Sequence, residues 1–324
     1  CDPPGFIRYV TDKAKDCPVQ VVQAGSVTKG LKGQELTDFD ALLEAGAPCL
    51  TDDGINLTSA ALCRTAMAEA AKRGTLLSFH EEEPSLVPSP GVNYGSEAAK
   101  HFGVPGAMAS AESAMIGRDI ALALDTGARV LFQHVSSAQS VALIRAGKAM
   151  GAKIYAEVTP HHLSLTEDDV PAHGTYARMN PPLRKEADRP ALIAALADGT
   201  IDMVATDHAP HTAEEKAREF AKAPSGITGL ETSLALGITS LVKPGHLSLT
   251  ELMEKMSLNP ATLYKLDCGR MEEGAPADFV IFDENEKWVV DSFASKATNS
   301  PFLGAELTGR VRYTICDGKV VYTL

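Results

Sequence analysis

Short apolar runs that alternate with helical stretches are the feature of this sequence that most constrains its fold. Six such runs, each four to seven residues long, are apolar almost throughout. Runs of this kind are typical of parallel strands that are covered on both faces. They occupy positions 19–24, 48–51, 75–79, 129–133, 153–159 and 201–206.

The stretches between these runs have helical spacing and helical boundary residues. Ser, Thr or Asp stands at several predicted starts, and glycine follows several predicted ends. Helices are predicted at 41–45, 58–72, 111–124, 137–150 and 188–197. This alternation predicts an α/β fold with a parallel sheet. Six strand–helix units can complete an open doubly wound sheet, whereas an eight-stranded barrel needs two more.

The character of the sequence changes after about residue 265. Four short runs rich in β-branched residues predict a small β element, with Asp317-Gly318 as a tight turn between the last two. The runs lie at 278–282, 287–290, 311–316 and 319–322. The chain is therefore predicted to consist of a larger α/β part, residues 1–265, and a smaller β part, residues 266–324.

Composition excludes several classes of partner. Lys and Arg number 30 against 42 Asp and Glu, a formal net charge of −12, so nucleic acid is not an expected partner. No apolar run approaches the roughly 20 residues that a membrane span needs, so no membrane partner is expected either. The six cysteines are scattered without a paired spacing, which predicts reduced thiols and a cytoplasmic location.

Potential metal ligands follow four of the apolar runs. Asp52-Asp53 follows the second run, and His80, His134 and Asp207 follow the third, fourth and sixth. In a barrel, the carboxyl ends of the strands converge on one mouth, where active sites lie. His and carboxylate ligands in such a convergence suit Zn²⁺. The arrangement favours the barrel over the open sheet.

Each of these residues has a simpler interpretation when it is taken alone. Asp52-Asp53-Gly54 has the composition of a turn, and His134 could be a hydrogen-bonded core histidine. Four potential ligands at the same end of four strands favour a shared site. Neighbouring residues of a strand point to opposite faces, so only one of Asp52 and Asp53 is expected to face the mouth. The pattern alone does not decide which.

Several passages resemble the bacterial dihydroorotases of the amidohydrolase superfamily. The most specific are the segments around Asp207 and Asn180, and the resemblance covers practically the whole chain. It is closest to the type in which an aspartate replaces the carboxylated lysine of related cyclic amidohydrolases. The matching segments are 51–54, 79–81, 133–136, 157–162, 178–184, 205–211, 223–227, 229–232, 300–302 and 318–319.

The resemblance implies a distorted (β/α)₈ TIM barrel with a small β-sandwich, and the interconversion of N-carbamoyl-L-aspartate and L-dihydroorotate in de novo pyrimidine (UMP) synthesis. It implies a site with one or two Zn²⁺ ions. Asp53 would bridge the metals, and His80 and His134 would hold the second metal. Asp207 would bind the first metal and act as the catalytic proton shuttle.

The resemblance also implies a substrate-binding set. Asn180 and His211 would contact the substrate, and the backbone at Ser225 and Gly226 would approach its ring. His161 and His162 match the family pattern without an implied ligand role. Among partners, the resemblance leaves room for a homodimer and for association with an aspartate transcarbamoylase.

One family feature does not occur in these 324 residues, namely the His-x-His pair of the first barrel strand. The run at 19–24 aligns with the third strand of the family, so six of eight strands are expected here. The first metal would keep only Asp53 and Asp207. The 324-residue chain alone is therefore expected to hydrolyse dihydroorotate negligibly, and a chain extended by its upstream segment to hydrolyse it. Loss of dihydroorotate absorbance with zinc supplied measures both.

Two rival functions remain open at this point. A dihydropyrimidinase or allantoinase is a related hydrolase, but Asp53 stands where those enzymes use a modified lysine. A non-catalytic scaffold for a transcarbamoylase is the rival from another class. The missing His-x-His pair favours the scaffold, and the intact set of Asp53, His80, His134 and Asp207 opposes it.

Overall fold

A row of parallel strands forms the centre of the fold. The computed structural model describes residues 2–324. Four strands lie side by side in the order in which they occur along the chain, and each pairs with the next in parallel. They are β1 (Leu76–Phe79), β2 (Arg129–Phe132), β3 (Ile154–Val158) and β4 (Met203–Val204). The prediction of an α/β fold with a parallel sheet is confirmed.

Two further segments extend this row beyond β1. Leu50 forms parallel bridges with Leu77 on one side and with Gly25 on the other. The backbone N–H of Thr51 donates to the carbonyl of Gly25 over 2.8 Å. Five of the six predicted runs therefore lie in one continuous row, with the second reduced to the single bridging residue Leu50, and Gly25 ends the row.

The predicted strand at 19–24 is wrong. In that stretch the chain is irregular, and the only bridge of this region falls on Gly25. Val19, Val21 and Val22 are each more than 40% exposed. Within residues 2–324 the segment has a sheet neighbour on one side only, so its apolar side chains are not covered and no ladder forms.

Helices flank the strands, and most agree with the sequence signals. Ser137 caps α6, which ends at Ala149, and α9 spans Asp188–Ala197 as predicted. The helix predicted at 111–124 begins two residues earlier, at Ala109, with Met108 as its N-cap residue. The α-helices are α1 (Pro4–Ala14), α2 (Phe39–Glu44), α3 (Ala60–Arg73), α4 (Glu97–Phe102), α5 (Ala109–Thr126), α6 (Ala138–Ala149), α7 (Pro160–Ser164), α8 (Val170–His173), α9 (Asp188–Ala197), α10 (Ala213–Lys216), α11 (Ser233–Gly237), α12 (Leu249–Met253) and α13 (Asn259–Tyr264).

Shorter helical turns join some of these elements. Two π-helical turns extend α11 and link α12 to α13, and four 3₁₀ turns lie in loops. The π-helical turns are Ile238–Val242 and Glu254–Leu258, and the 3₁₀ turns are Lys29–Leu31, Pro84–Leu86, Glu167–Asp169 and Gly174–Ala177.

The main core lies between the parallel strands and the helices that cover them. Met67 of α3, Leu77 of β1, Ile116 of α5, Phe132 of β2 and Ile144 of α6 have no measurable exposure. Burying one such side chain contributes about 1.5–3 kcal/mol. Because both faces of the strands are covered, their sequences are mostly apolar.

The end of the chain forms a three-stranded antiparallel sheet, as predicted. Its strands are β5 (Phe279–Val289), β6 (Glu306–Cys316) and β7 (Lys319–Thr323), paired in that order. The predicted runs 278–282 and 287–290 form one strand rather than two, because β5 continues through an irregular register between Asp283 and Lys287. Asp317 and Gly318 both have positive φ, at 50° and 71°, as a tight hairpin turn requires.

Two general predictions can be compared with the described residues. No helix in residues 2–324 has both the length and the apolar character needed to cross a bilayer. The five cysteines in this range are free thiols. The sixth, Cys1, lies outside the described residues.

Candidate active site at the carboxyl ends of the strands

The predicted metal ligands all lie just beyond the carboxyl ends of neighbouring parallel segments. His80 directly follows β1, His134 lies two residues past β2, and Asp207 lies three residues past β4. Asp53 lies three residues past the bridging residue Leu50. Because these segments are parallel neighbours, their ends meet at one edge of the sheet.

An uncommon backbone conformation is shared by three of these residues. Asp53, His134 and Asp207 have positive φ angles of 50°, 34° and 48°. In residues 2–324 only six residues other than glycine have positive φ, so half of them belong to this set. Such conformations cost on the order of 1–3 kcal/mol and are concentrated at functional sites. Here they turn each side chain sharply away from its strand.

Two of the predicted ligands are in direct contact. Nδ1 of His80 lies 2.9 Å from Nε2 of His134, and the rings meet edge to face. Both side chains are buried, and Nδ1 of His134 has no hydrogen-bond partner in the described chain. Burial, with a further contribution from His80, holds the pKa of His134 well below its usual value. His134 is therefore neutral at physiological pH, the form in which imidazole binds metals.

The two adjacent aspartates have different surroundings. Asp52 is buried, and its carboxylate accepts hydrogen bonds from the N–H groups of Val27 and Thr28 at 2.8 and 2.9 Å and from the Thr28 hydroxyl. Asp53 is exposed, and within the described chain its carboxylate accepts none of these bonds. Asp52 therefore anchors a loop, and Asp53 is the one left available to a ligand.

The carboxyl group of Asp207 lies within electrostatic range of His80 and Asp53. Burial raises the pKa of Asp207 to about 7, while His80 lowers it and Asp53 raises it further. A carboxyl group with a pKa near neutrality can both take and return a proton at physiological pH. Nevertheless, no group of three or more His, Cys, Asp or Glu side chains within residues 2–324 has the spacing of a metal site. The structure brings His80 and His134 into contact, with Asp53 and Asp207 close by.

Asn180 joins this group from the loop that precedes α9. Its Nδ2 donates to Oε2 of Glu82 over 2.8 Å and lies 3.4 Å from Nε2 of His80. Its Oδ1 is buried without a partner in the described chain. The three glutamates after His80 resemble a solvated loop in sequence, yet Glu81 is buried and Glu82 holds Asn180. Glu82 was not predicted as a site residue.

His211 and the loop at Ser225 and Gly226 form a second, adjoining group. Nε2 of His211 lies 2.9 Å from the carbonyl oxygen of Ser225. Gly226 has φ of 125°, and a Cβ there would lie 2.5 Å from Cβ of Ala209. Only glycine fits this close approach. The N–H of Gly226 donates to the carbonyl of Arg178 over 2.9 Å, which ties this loop to the Asn180 segment.

Asn299 is a further residue that the sequence did not identify. Its side chain is buried and donates to the carbonyls of Ala209 and Gly226 over 3.1 and 3.0 Å. Its Oδ1 accepts from the N–H of His211 over 3.0 Å. Asn299 directly precedes segment 300–302, which the family resemblance covers. Its position next to that segment is the sequence signal that could have identified it.

His161 and His162 are buried in α7, the short helix that follows β3. His162 bridges the end of β3 and the Asn180 loop, with Nδ1 2.7 Å from the Thr159 hydroxyl and Nε2 3.2 Å from the carbonyl of Pro181. Nε2 of His161 is buried without a partner in residues 2–324. Burial holds the pKa of both histidines below the usual value.

The arrangement of His and Asp side chains at the ends of parallel strands is accompanied by a family match over almost the whole chain. Residues 9–321 match the amidohydrolase family. The chain belongs to the amidohydrolase family.

Within this family the chain is a relative of the bacterial dihydroorotases. It is 56% identical over 315 residues to the dihydroorotase of Clostridioides difficile (strain 630), covering 97% of this chain and 75% of that protein. It is 52% identical over 305 residues to the dihydroorotase of Lactococcus lactis subsp. lactis (strain IL1403), covering 94% of this chain and 72% of that protein.

Solved structures with a similar fold include hydantoinases. L-hydantoinase (dihydropyrimidinase) from Arthrobacter aurescens is 26% identical, with a TM-score of 0.83 over 97% of this chain and 74% of that one. The dihydropyrimidinase from Brevibacillus agri NCHU1002 is 23% identical, with a TM-score of 0.76 over 88% of this chain and 68% of that one. At that identity the second similarity concerns the fold alone.

Proposed function

We propose that this protein is a zinc-dependent dihydroorotase, which interconverts N-carbamoyl-L-aspartate and L-dihydroorotate in pyrimidine synthesis. The observation that carries the proposal is the contact between His80 and His134 at the strand ends, with Asp207 and Asn180 adjoining it. Identity of 50% or more to dihydroorotases over nearly the whole chain supports the same function.

The kinds of donor at the strand ends suit a metal ion, although within residues 2–324 they are not gathered at the spacing of a metal site. We propose that Asp53, His80, His134 and Asp207 hold one or two Zn²⁺ ions. Two buried imidazoles are in contact, and the carboxylates of Asp53 and Asp207 have no ion-pair partner among Lys and Arg in the described residues. Nitrogen and carboxylate donors in this mixture suit zinc. When bound, zinc lowers the pKa of a water molecule and polarises the carbonyl under attack.

Asp207 is proposed to move the proton. Opening a cyclic amide requires a proton to leave the attacking water and another to reach the departing nitrogen. The Asp207 carboxyl group is buried at the end of β4, within electrostatic range of His80 and Asp53, where it can accept the first proton and supply the second. Its positive φ of 48° marks a sharp change of backbone direction after β4.

Asn180, His211, Ser225 and Gly226 are proposed to bind the substrate. The amide nitrogen of Asn180 lies 3.4 Å from Nε2 of His80, and the Asn180 side chain can hydrogen-bond to a polar edge of the substrate ring. His211 can donate to the free carboxylate of the substrate. The absence of a side chain at Gly226 lets the loop pack closely against Ala209 and His211, and its backbone is proposed to approach the ring of the substrate.

The finer architecture and setting are also proposals. We propose that the parallel row is part of a distorted (β/α)₈ barrel, of which residues 1–265 supply six of the eight positions as four strands and the bridging segments at Gly25 and Leu50. We also propose that residues 266–324 contribute to a β-sandwich. Free thiols support a cytoplasmic location. A homodimer and association with an aspartate transcarbamoylase stay predictions from the resemblance.

A dihydropyrimidinase is the second candidate, because the Arthrobacter aurescens enzyme of that type has a similar structure at 26% identity. Dihydroorotate and dihydrouracil distinguish the two functions, because they share the ring and differ in the carboxylate. A dihydroorotase is expected to need that carboxylate, and a dihydropyrimidinase is not.

The first prediction concerns substrate preference in the protein at the full length that its gene encodes. With zinc supplied, we expect kcat/KM for dihydroorotate to exceed that for dihydrouracil by about 10³-fold or more, because a buried polar site discriminates strongly against a ligand that lacks its partner group. His211→Ala should reduce this preference by at least about tenfold while zinc content is unchanged. His246→Ala, at an exposed histidine, is the control. Equal turnover of both substrates would favour the dihydropyrimidinase, and zinc loss in His211→Ala would make His211 a metal ligand.

A further inference from the structure

Lys216 is a buried lysine, although its sequence context predicts a surface residue. It follows Glu214 and Glu215 at the end of α10, in a charged stretch typical of a solvated helix face. In the structure its side chain is only 2% exposed. A lysine buried to this degree is rare unless its ammonium group is fully hydrogen-bonded.

Three backbone carbonyls satisfy the Lys216 ammonium group. Nζ donates to the carbonyls of Thr175 and Pro224 over 2.9 Å each, and to that of Arg178 over 3.4 Å. These three oxygens form what we call the carbonyl cluster. An ammonium group has three donors, so the cluster uses all of them. Among residues 2–324 no carboxylate contacts Nζ. The lysine therefore binds loop carbonyls rather than forming an ion pair.

The carbonyl cluster draws together the segments that carry the proposed substrate residues. Thr175 and Arg178 precede Asn180, and Pro224 precedes Ser225 and Gly226. Lys216 itself follows His211 on the third segment. The hydroxyl of Thr175 donates back to the carbonyl of Lys216 over 2.5 Å, so the first and third segments are joined twice.

We infer that Lys216 is a positioning residue for the substrate pocket: its ammonium group fastens the segments that carry Asn180, His211 and Ser225-Gly226 into one wall. This inference rests on the proposed function, because it assigns those segments to substrate binding. Lys216 does not reach the metal-ligand group, so it sets substrate affinity rather than metal affinity.

Neighbouring charges are consistent with this role. Burial, with a smaller contribution from the Arg178 guanidinium, lowers the pKa of Lys216 to about 8. The ammonium form therefore still predominates at neutral pH. Arg178 is buried beside it, and its Nε donates to the carbonyl of Ala223 over 2.7 Å. The side chains of Arg178 and Lys216 thus donate hydrogen bonds to consecutive carbonyls of one loop, those of Ala223 and Pro224.

The test is Lys216→Met in the full-length gene product, which keeps the length of the side chain and removes its donors. We expect KM for dihydroorotate to rise about tenfold, the equivalent of one lost hydrogen bond, with kcat and zinc content nearly unchanged. Amide hydrogen exchange should accelerate in 174–180, 207–211 and 223–227 together. Lys222→Met is the matched control, because that lysine is 72% exposed and pairs only with Glu219.

Because Lys216→Met could fail to fold, Thr175→Val is the second variant. It removes only the hydroxyl bond to the Lys216 carbonyl, and should raise KM about threefold, less than one full hydrogen bond, and accelerate exchange in 174–180 and 213–217. Unchanged KM and unchanged exchange in the variants that fold would overturn the inference, as would loss of zinc from Lys216→Met. If the unaltered protein does not turn over dihydroorotate, the proposed function fails, while the exchange data still test the fastening of the three segments.

Discussion

Replacing Asp207 by asparagine is expected to lower kcat for dihydroorotate by at least about 10³-fold, because a positioned proton-transfer group contributes roughly 10²–10⁴-fold and Asp207 is also a proposed metal ligand. Asparagine keeps the size of the side chain and tolerates the positive φ of 48° at this position. It cannot accept the proton of an attacking water. The measurement is the initial rate of dihydroorotate hydrolysis by the zinc-loaded full-length protein.

Asp168→Asn is the control for this change, because Asp168 is an exposed aspartate on the 3₁₀ turn Glu167–Asp169. Its rate should equal that of the unaltered protein. The thermal unfolding midpoint of the metal-free Asp207→Asn variant should not fall, since burial of the charged carboxylate is unfavourable and the substitution removes that charge. A variant that keeps more than about a tenth of the original kcat would contradict the role of Asp207 as proton shuttle.

Replacing His134 by alanine is expected to weaken zinc binding by more than about 100-fold, since even groups that only support a metal ligand contribute 10–100-fold. Activity should fall in parallel. Nδ1 of His134 makes no hydrogen bond in the described chain, so the side chain that loses a partner on this substitution is His80. The measurement is zinc content after dialysis against a series of buffered zinc concentrations.

Two further variants complete that experiment. His80→Ala should weaken zinc binding to a similar degree, because its Nδ1 lies 2.9 Å from Nε2 of His134 and the two are proposed to share an ion. His246→Ala, at an exposed histidine that ends no strand, should bind zinc normally. Normal zinc affinity in both His80→Ala and His134→Ala would show that the pair is a structural hydrogen bond.

The strands and the residues that follow them could be predicted from sequence, because burial of both faces leaves a clear apolar signal. β1, β2 and β3 lie within one residue of their predicted bounds. The metal ligands were predicted from the residues that follow the apolar runs, and the choice of Asp53 over Asp52 came from the family resemblance. The same reasoning failed at 19–24, because an apolar run forms a strand only when neighbours pair with it, and sequence pattern does not report the neighbours.

The surroundings of the site could not be predicted, because they depend on contacts between residues far apart in the chain. Asn299 holds the N–H of His211, which lies 88 positions earlier. Lys216 meets carbonyls 41 and 8 positions away. The choice between Asp52 and Asp53 likewise depends on the hydrogen bonds that Val27 and Thr28 donate to Asp52. Side-chain type and spacing carry none of this information.

Zinc anomalous scattering from crystals of the full-length protein tests the central claim most directly. The account predicts one or two peaks within ligand distance, about 2.0–2.2 Å, of His80, His134, Asp53 and Asp207. A peak elsewhere, or any two of these four side chains more than about 10 Å apart around a zinc site of those dimensions, would contradict it.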